Sequence, residues 1–256
     1  MMPAHRSLPS HDDTRAMLAS LRPARLTTRR APAAVDDWEE GLQRAVEDTN
    51  AAVLPGSLMA FNEHISRQDK QDILLCHQLV QILIQGARAR QATDDWFAYY
   101  KRRLEFLGWY ELYLPDSGPS SGYLPPDVID EQTLQAIRSI GQPGAGLQAP
   151  AVERLEASAD GQRLMARGAV VSDSAVYRFL PSITTANGKV EALLYQRHVR
   201  DTRTVSRNFL FPRITATQQV EEKMAVIAFR PTYFERHRQQ VMDTLRQQIE
   251  TGIYPL

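Results

Sequence analysis

The chain has 256 residues, 43% of them hydrophobic, with 30 basic against 30 acidic side chains and one cysteine, Cys76. That length suffices for one large domain or two small ones. The even charge balance removes any global demand for nucleic acid or an anionic membrane surface, and a single cysteine excludes an intrachain disulfide and a multi-cysteine zinc site.

Met1 to Ala34 is rich in Pro, Ala, Ser and Arg, has no aromatic residue, and sets Arg6, Arg15, Arg22, Arg25, Arg29 and Arg30 against Asp12 and Asp13. Such a segment buries too little apolar surface to offset chain entropy, so it predicts a mostly disordered tail, with a short helix near Thr14–Leu21 forming on contact. Arg22, Arg25, Arg29 and Arg30 make it a candidate arm for a partner or an acidic surface. The N-terminus lacks the continuous apolar run of a signal peptide, and no window reaches the length of a transmembrane helix. The expectation is a cytoplasmic protein, with signal-independent export as the alternative.

Ala34 to Ala52 predicts a helix with Trp38, Leu42 and Val46 as its apolar stripe. Val53 to Phe61 reads as a turn through Pro55-Gly56 and then a short apolar segment. The next helix should start at Ser66, whose side chain can accept from the first-turn N–H groups, with Asp69 near the positive end of the dipole. Ile73, Leu74, Leu75, Cys76, Leu79, Val80, Ile82, Leu83 and Ile84 cover most of its surface, which predicts burial, and Gly86 suits its end. A second helix has Thr93 as N-cap and Trp96, Tyr100, Leu104 and Leu107 on one face. Gly108 suits a left-handed C-terminal position. Trp109 to Leu114 alternates, a strand signal.

The pattern Trp96-x3-Tyr100-x3-Leu104-x2-Leu107-Gly108-Trp109, preceded by LPGSLMAF and the DILLCHQLVQILI helix, resembles a group of bacterial and fungal proteins without an assigned activity. The resemblance spans Leu54 to Ile249. It implies a helix–helix–strand core followed by a β-rich half closed by a helix, and it transfers no catalytic residue.

Beyond Leu114, PDSGPSSGYLPP reads as a loop and Val128 to Ile140 as a helix capped by Asp127. The glycine-rich stretch Gly141 to Gly146 marks the main boundary, between two layers of one domain or between two domains. From Val152 the period shifts towards two. VERLEASA, AVVSDSAVYRFLPSITT, GKVEALLYQRHV, VSRNFLFPRITATQQ and EKMAVIAFR are strand candidates, with Asn187-Gly188 a hairpin turn. Thr232-x-x-Glu235 has the form of a capping box opening a final helix to about Thr251, with His237, Val241, Leu245 and Ile249 on its apolar face.

The motifs that carry chemistry are missing. No HExxH, GxSxG, GxxxxGK[ST] or GxGxxG occurs. The six histidines show no zinc spacing; His64 and His77 are the pair that a helical turn-back could bring together. Cys76 reads as a small hydrophobe. Asp36/Asp37 and Asp94/Asp95 fit helix starts, and Glu221/Glu222 reads as a solvated pair before a strand. The local charge feature is Arg197, Arg200, Arg203, Arg207 and Arg213 interleaved with Tyr195, Phe209 and Phe211. Basic and aromatic side chains on a hairpin can stack single-stranded bases or form an arginine-rich protein contact.

These readings sum to an α+β fold. Residues 1–34 form a tail, 35–146 a helical layer contributing one strand, and 147–256 an antiparallel sheet or sandwich closed by a C-terminal helix. The expected function is non-enzymatic, association with itself or another protein, with no cofactor. The alternatives are an enzyme or toxin-like effector with a site at the helix/sheet junction, and a single-stranded nucleic-acid binder through Arg197–Arg213.

Overall fold

The computed structural model describes residues 8–21, 33–47, 49–89, 93, 95–113, 144, 146–171, 174–201, 218–248 and 254–255. The expected loop after Leu114, the helix Val128–Ile140 and nearly all of the strand VSRNFLFPRITATQQ lie outside them.

The elements run α1 (His11–Ser20), α2 (Ala33–Glu47), β1 (Ala51–Leu54), β2 (Ser57–Phe61), α3 (Arg67–Ala89), α4 (Trp96–Glu105), β3 (Trp109–Tyr113), α5 (Gln148–Ala157), α6 (Ala159–Ala169), β4 (Val170–Val171), β5 (Ser174–Thr184), β6 (Val190–Asp201), β7 (Gln218–Phe229), α7 (Pro231–Phe234), α8 (Arg238–Gln248) and β8 (Tyr254–Pro255). The fold is α+β. One sheet runs in the order β3-β7-β6-β5-β2-β1-β8, with β4 paired to β5. Among the described residues every strand belongs to this one sheet, not to a sandwich of two. All its pairings are antiparallel except β2–β5, which is parallel from Ser57↔Arg178 to Phe61↔Ser182.

Strands from the N-terminal region therefore flank the central β5–β6–β7 meander on both sides. The connection from β2 to β3 has to cross the face of those three strands, and α3 with α4 is that crossing. This explains why α3 is apolar nearly all round: the sheet, α2, α4 and α8 enclose it. Its start is as expected, with Ser66 Oγ accepting from the Asp69 N–H at 3.0 Å and donating to Asp69 Oδ2 at 2.7 Å. It continues past Gly86 to Ala89.

Alternation sorts the sheet residues onto two faces. Met59, Phe61, Leu180, Leu194, Ala225, Ile227 and Phe229 join the core under α1–α4, α7 and α8. Val53, Leu58, Tyr177, Phe179, Leu193 and Val226 join a second core under α5 and α6. The helices thus form layers on both sides of the sheet. The stretch VERLEASA, expected as a strand, forms the end of α5 as far as Ala157 and passes through its C-cap Ser158 into α6: Ala151, Val152 and Leu155 are buried at helical spacing.

Two further expectations change. The expected turn at Pro55-Gly56 is present, with Gly56 at φ 75, but the apolar residues on either side of it are paired strands, so the stretch 53–61 is part of the β1–β2 hairpin. The final helix is broken. Arg230, not Thr232, caps the short α7 and makes no side-chain cap bond, so the Thr232/Glu235 box does not form. His237 N–H then bonds Phe234 O at 2.7 Å, a tightened turn that restarts the chain as α8. The Asn187-Gly188 hairpin is present, with Gly188 at φ 71 and its N–H on Thr185 O at 2.9 Å.

Helix α1 lies inside the stretch expected as a tail. Ser10 and Asp13 form a capping box, and Thr14, Met17 and Leu18 are buried. The segment carrying Arg22, Arg25, Arg29 and Arg30 is therefore a connection between α1 and α2 in the chain, and its residues lie outside those described.

Gly108 joins α4 to β3 at φ +89, and a Cβ there would meet Arg230 O at 3.1 Å and Tyr233 Cδ1 at 3.2 Å. Gly108→Ala is expected to cost about 1–3 kcal/mol in urea denaturation, from the left-handed backbone and the contact with Arg230 O. An unchanged midpoint and slope would contradict this reading of the α4–β3 turn.

Candidate functional site

Polar side chains gather in three buried places, and each follows from where the elements put them. The first lies between α3, α4 and the sheet. His77, Gln78 and Gln81 interrupt the apolar surface of α3, and β2 and β5 present Ser57 and Arg178 to them, opposite each other in register. Tyr100 comes from α4. His77 Nδ1 and the Tyr100 hydroxyl are 2.7 Å apart. The Gln81 amide donates to Ser57 Oγ, and the Trp38 indole N–H donates to Gln78 Oε1 at 2.9 Å. The Arg178 guanidinium sits 4.3 Å from the Tyr100 ring centre, a cation–π contact. Trp109 meets the His77 ring edge-on at 5.2 Å.

His77, Tyr100 and Ser57 are each 0% exposed and Arg178 is 2% exposed. Burial, with the Arg178 charge second, pushes the His77 imidazole down to about 3. Burial pushes the Tyr100 phenol well up. Near neutral pH the pair is thus an uncharged imidazole and an uncharged phenol sharing one hydrogen bond. As placed, it clamps two helices to the sheet. Arg178 was not singled out in the sequence. The signal was available: in AVYRFLPSI it takes the same side as Val176 and Leu180, an arginine in an inward position.

The second place is on the opposite face of the sheet. Arg197 on β6 and Glu222 on β7 are direct cross-strand partners. Arg197 Nη1 donates to Glu222 Oε1 at 2.5 Å, and the Tyr195 hydroxyl donates to the same oxygen at 2.6 Å. Burial pushes the Tyr195 phenol up. Glu222 is therefore not a solvated residue ahead of a strand; it lies inside β7 and organises a buried ion pair. Of the arginine/aromatic stretch, Tyr195 and Arg197 are turned inward on the described sheet. Arg200 has its backbone at the end of β6, opposite Gln219. Its side chain, and Arg203, Arg207, Phe209, Phe211 and Arg213, lie outside the described residues.

The third place is where α1 docks. His11 Nδ1 and His237 Nε2 are 2.8 Å apart, and the His11 ring stacks on Tyr233 at 4.5 Å. Thr14 donates to Phe106 O at 3.1 Å and shares a 2.7 Å contact with the Tyr233 hydroxyl. Tyr233 also reaches Pro9 O at 2.8 Å. Behind this site, Asp72 of α3 takes a bidentate pair from Arg238 of α8, at 2.7 and 2.8 Å.

The remaining candidates separate. His64 is exposed beside Glu63, whereas His77 is sealed in the core, so the two do not meet. Cys76 is buried with its thiol pushed well up, chiefly by burial. Asp95, not Thr93, caps α4, accepting from Ala98 N–H at 3.0 Å. Among the described residues, no group of three or more His, Cys, Asp or Glu is placed to hold a metal ion. No helix there is long and apolar enough to cross a membrane.

No protein-family model matches the chain, and no curated protein matches it. Among solved structures it is similar to the Evf virulence factor, at 11% identity over 92% of this chain and 89% of that one, with a TM-score of 0.41. It is also similar to a delta-endotoxin, at 12% identity over 68% of this chain and 80% of that one, with a TM-score of 0.34. Both likenesses are distant, and neither carries an activity or a residue role to this chain.

Two outcomes follow from the buried groups. Glu222→Ala strands Arg197 in a buried position and is expected to cost about 3–5 kcal/mol, whereas a joint Arg197→Met, Glu222→Leu replacement costs much less. Urea denaturation of both variants checks this; equal losses would contradict it. For His77, the folded value of about 3 lies below the ordinary 6.5, so stability is full above 6.5 and falls as pH drops from there towards 3. Between pH 7 and pH 5 the wild type is expected to lose about 2 kcal/mol more than His77→Gln. Parallel losses in the two proteins would refute a buried neutral imidazole.

Proposed function

We infer that the chain works by protein association, with a second copy of itself in the first instance, through edge strand β3. The observation that carries this reading is the edge. Among the described residues β3 is hydrogen-bonded on one side only, to β7. Its last residue, Tyr113, is a large aromatic side chain that is 48% exposed. A strand edge offers a row of N–H and C=O groups to another strand, and an exposed aromatic at its end supplies apolar contact. The arginines at positions 22, 25, 29, 30, 200, 203, 207 and 213, with Phe209 and Phe211, are proposed as further contacts in the same role. The nucleic-acid alternative is weakened by Tyr195 and Arg197, which are buried and donate to Glu222 through the Tyr195 hydroxyl and Arg197 Nη1.

Light scattering coupled to size exclusion tests this. The wild type is expected to exceed its 29.0 kDa chain mass, and Tyr113→Lys, which places a charge at the edge, is expected to return it to one chain. A wild type at one chain mass across protein and salt concentrations would contradict self-association.

A second reading, a ligand or reaction site at the helix/sheet junction, is favoured by one observation: His77, Tyr100 and Arg178 converge there. Such a site requires an entry route. Native-state modification by diethyl pyrocarbonate separates the cases, with exposed His64 as the internal standard. Modification of His77 without unfolding supports a site. Protection of His77 as long as the fold persists removes it.

A further inference from the structure

We propose that His11 and His237 form a proton-operated latch that holds helix α1 on the body near neutral pH and lets it go on acidification. The geometry sets the requirement. The two imidazoles share one hydrogen bond, His11 Nδ1 to His237 Nε2 at 2.8 Å, so one of these nitrogens must lack a proton. His237 is 1% exposed, and its Nδ1 is buried with no hydrogen-bond partner among the described residues. The arrangement that leaves no N–H stranded has His237 donating from Nε2 to His11 Nδ1. In that arrangement, protonating His237 places an N–H at Nδ1 where no acceptor is found, and protonating His11 turns the shared bond into two opposed donors.

The surrounding charges work in the same direction. On α1, Asp13 is engaged by Ser10 and Asp12 pairs with Arg15. Arg236 is exposed and Arg238 is taken by Asp72. Tyr233 is neutral, its phenol raised chiefly by burial. Glu235 and Asp69 act on Arg238. The ring of His237 thus gains a charge beside Arg15 and Arg236, and its imidazole is held below the ordinary range by burial first, then by His11 and those two arginines. A folded value below 6.5 means that docking is complete above 6.5 and is lost as pH falls through that value. Asp72, the buried acid nearest this site, runs the other way. Burial raises its carboxyl despite Arg238, so its protonation favours the folded body and does not drive release.

Little else fastens α1. Met17 and Leu18 are the buried apolar side chains it contributes, Thr14 bonds Phe106 O and Tyr233, and the Tyr233 hydroxyl reaches Pro9 O just ahead of the helix. The helix is ten residues long and carries its own capping box at Ser10, so it can leave as a unit. It is also the element that precedes Arg22–Arg30 in the chain.

The test places spin labels at Ala19→Cys and Gln239→Cys, both exposed; Cys76 is buried and does not compete. Pulsed electron resonance then reads the separation at about pH 7.5 and about pH 5.5, on either side of the imidazole range. One short separation is expected at the higher pH and a longer, dominant population at the lower, with near-ultraviolet circular dichroism unchanged. His237→Phe, which keeps a buried ring and removes the titration, is expected to hold the short separation at both. If the phenylalanine variant does not fold, His237→Leu, which also removes the buried titrating ring, is read in its place and by the same criterion. Three results would overturn the latch: no lengthening in the wild type, the same lengthening in the phenylalanine variant, or lengthening that coincides with loss of the near-ultraviolet signal.

Discussion

The enclosure of α3 is the constraint from which the rest of the arrangement follows. Because β2 and β3 lie on opposite sides of the β5–β6–β7 meander, the chain between them must cross the sheet, and α3 makes most of that crossing. A helix in that position is wrapped by sheet and helices together, and Ile73, Leu74, Leu75, Cys76, Leu79 and Val80 are all at 0% exposure. The polar residues on its enclosed stretch, His77, Gln78 and Gln81, cannot reach water. Each must find a partner inside, which is why Gln78 meets Trp38, Gln81 meets Ser57 and His77 meets Tyr100. The polar interior is thus a consequence of topology before it is anything else.

The same logic divides the molecule's ionisable groups by the cost of charging them. Where a partner of opposite sign was available, the charge is kept, as in Arg197–Glu222 and Arg238–Asp72. Where none was, the group is held neutral, as with His77 and Tyr100. The docking site of α1 is of a third kind. Its two imidazoles satisfy each other while one nitrogen of the pair lacks a proton, so it is tied to pH in a way the other clusters are not.

Much of the helical half could be read from residues alone. Ser66, Gly108 and the spacing of Tyr100, Leu104 and Leu107 located α3, α4 and β3, and Asn187-Gly188 located a hairpin, because each reflects local chemistry that survives folding. What was missed depended on tertiary contact. In VLPGSLMAF every position is buried on one face or the other, so the alternation that marks a strand was absent from β1 and β2. Helix α1 was legible only in part, as a short contact-formed helix near Thr14–Leu21; its start at His11 was missed because it buries only Thr14, Met17 and Leu18 in a stretch whose composition argues for disorder. VERLEASA offered so few apolar positions that a period of two and a helical period fitted comparably. The reading of Glu221 and Glu222 as solvated holds for exposed Glu221 and failed for Glu222 for a different reason: cross-strand register puts Glu222 against Arg197, and register is not written in either strand alone. Arg178 was legible in principle, as a charge in an inward position, but its partners come from α4 and β2, far away in the chain.

The sealed interior is tested most directly by the titration of His77 itself. Imidazole nitrogen and carbon shifts of selectively labelled histidine, followed by nuclear magnetic resonance from neutral pH downwards, separate His77 from exposed His64 within one sample. The His77 signal is expected to stay that of a neutral ring until the protein unfolds or the pH nears about 3. A reversible His77 midpoint in the ordinary histidine range near 6.5, with the fold intact, would show that water reaches the junction and would contradict the enclosure of α3.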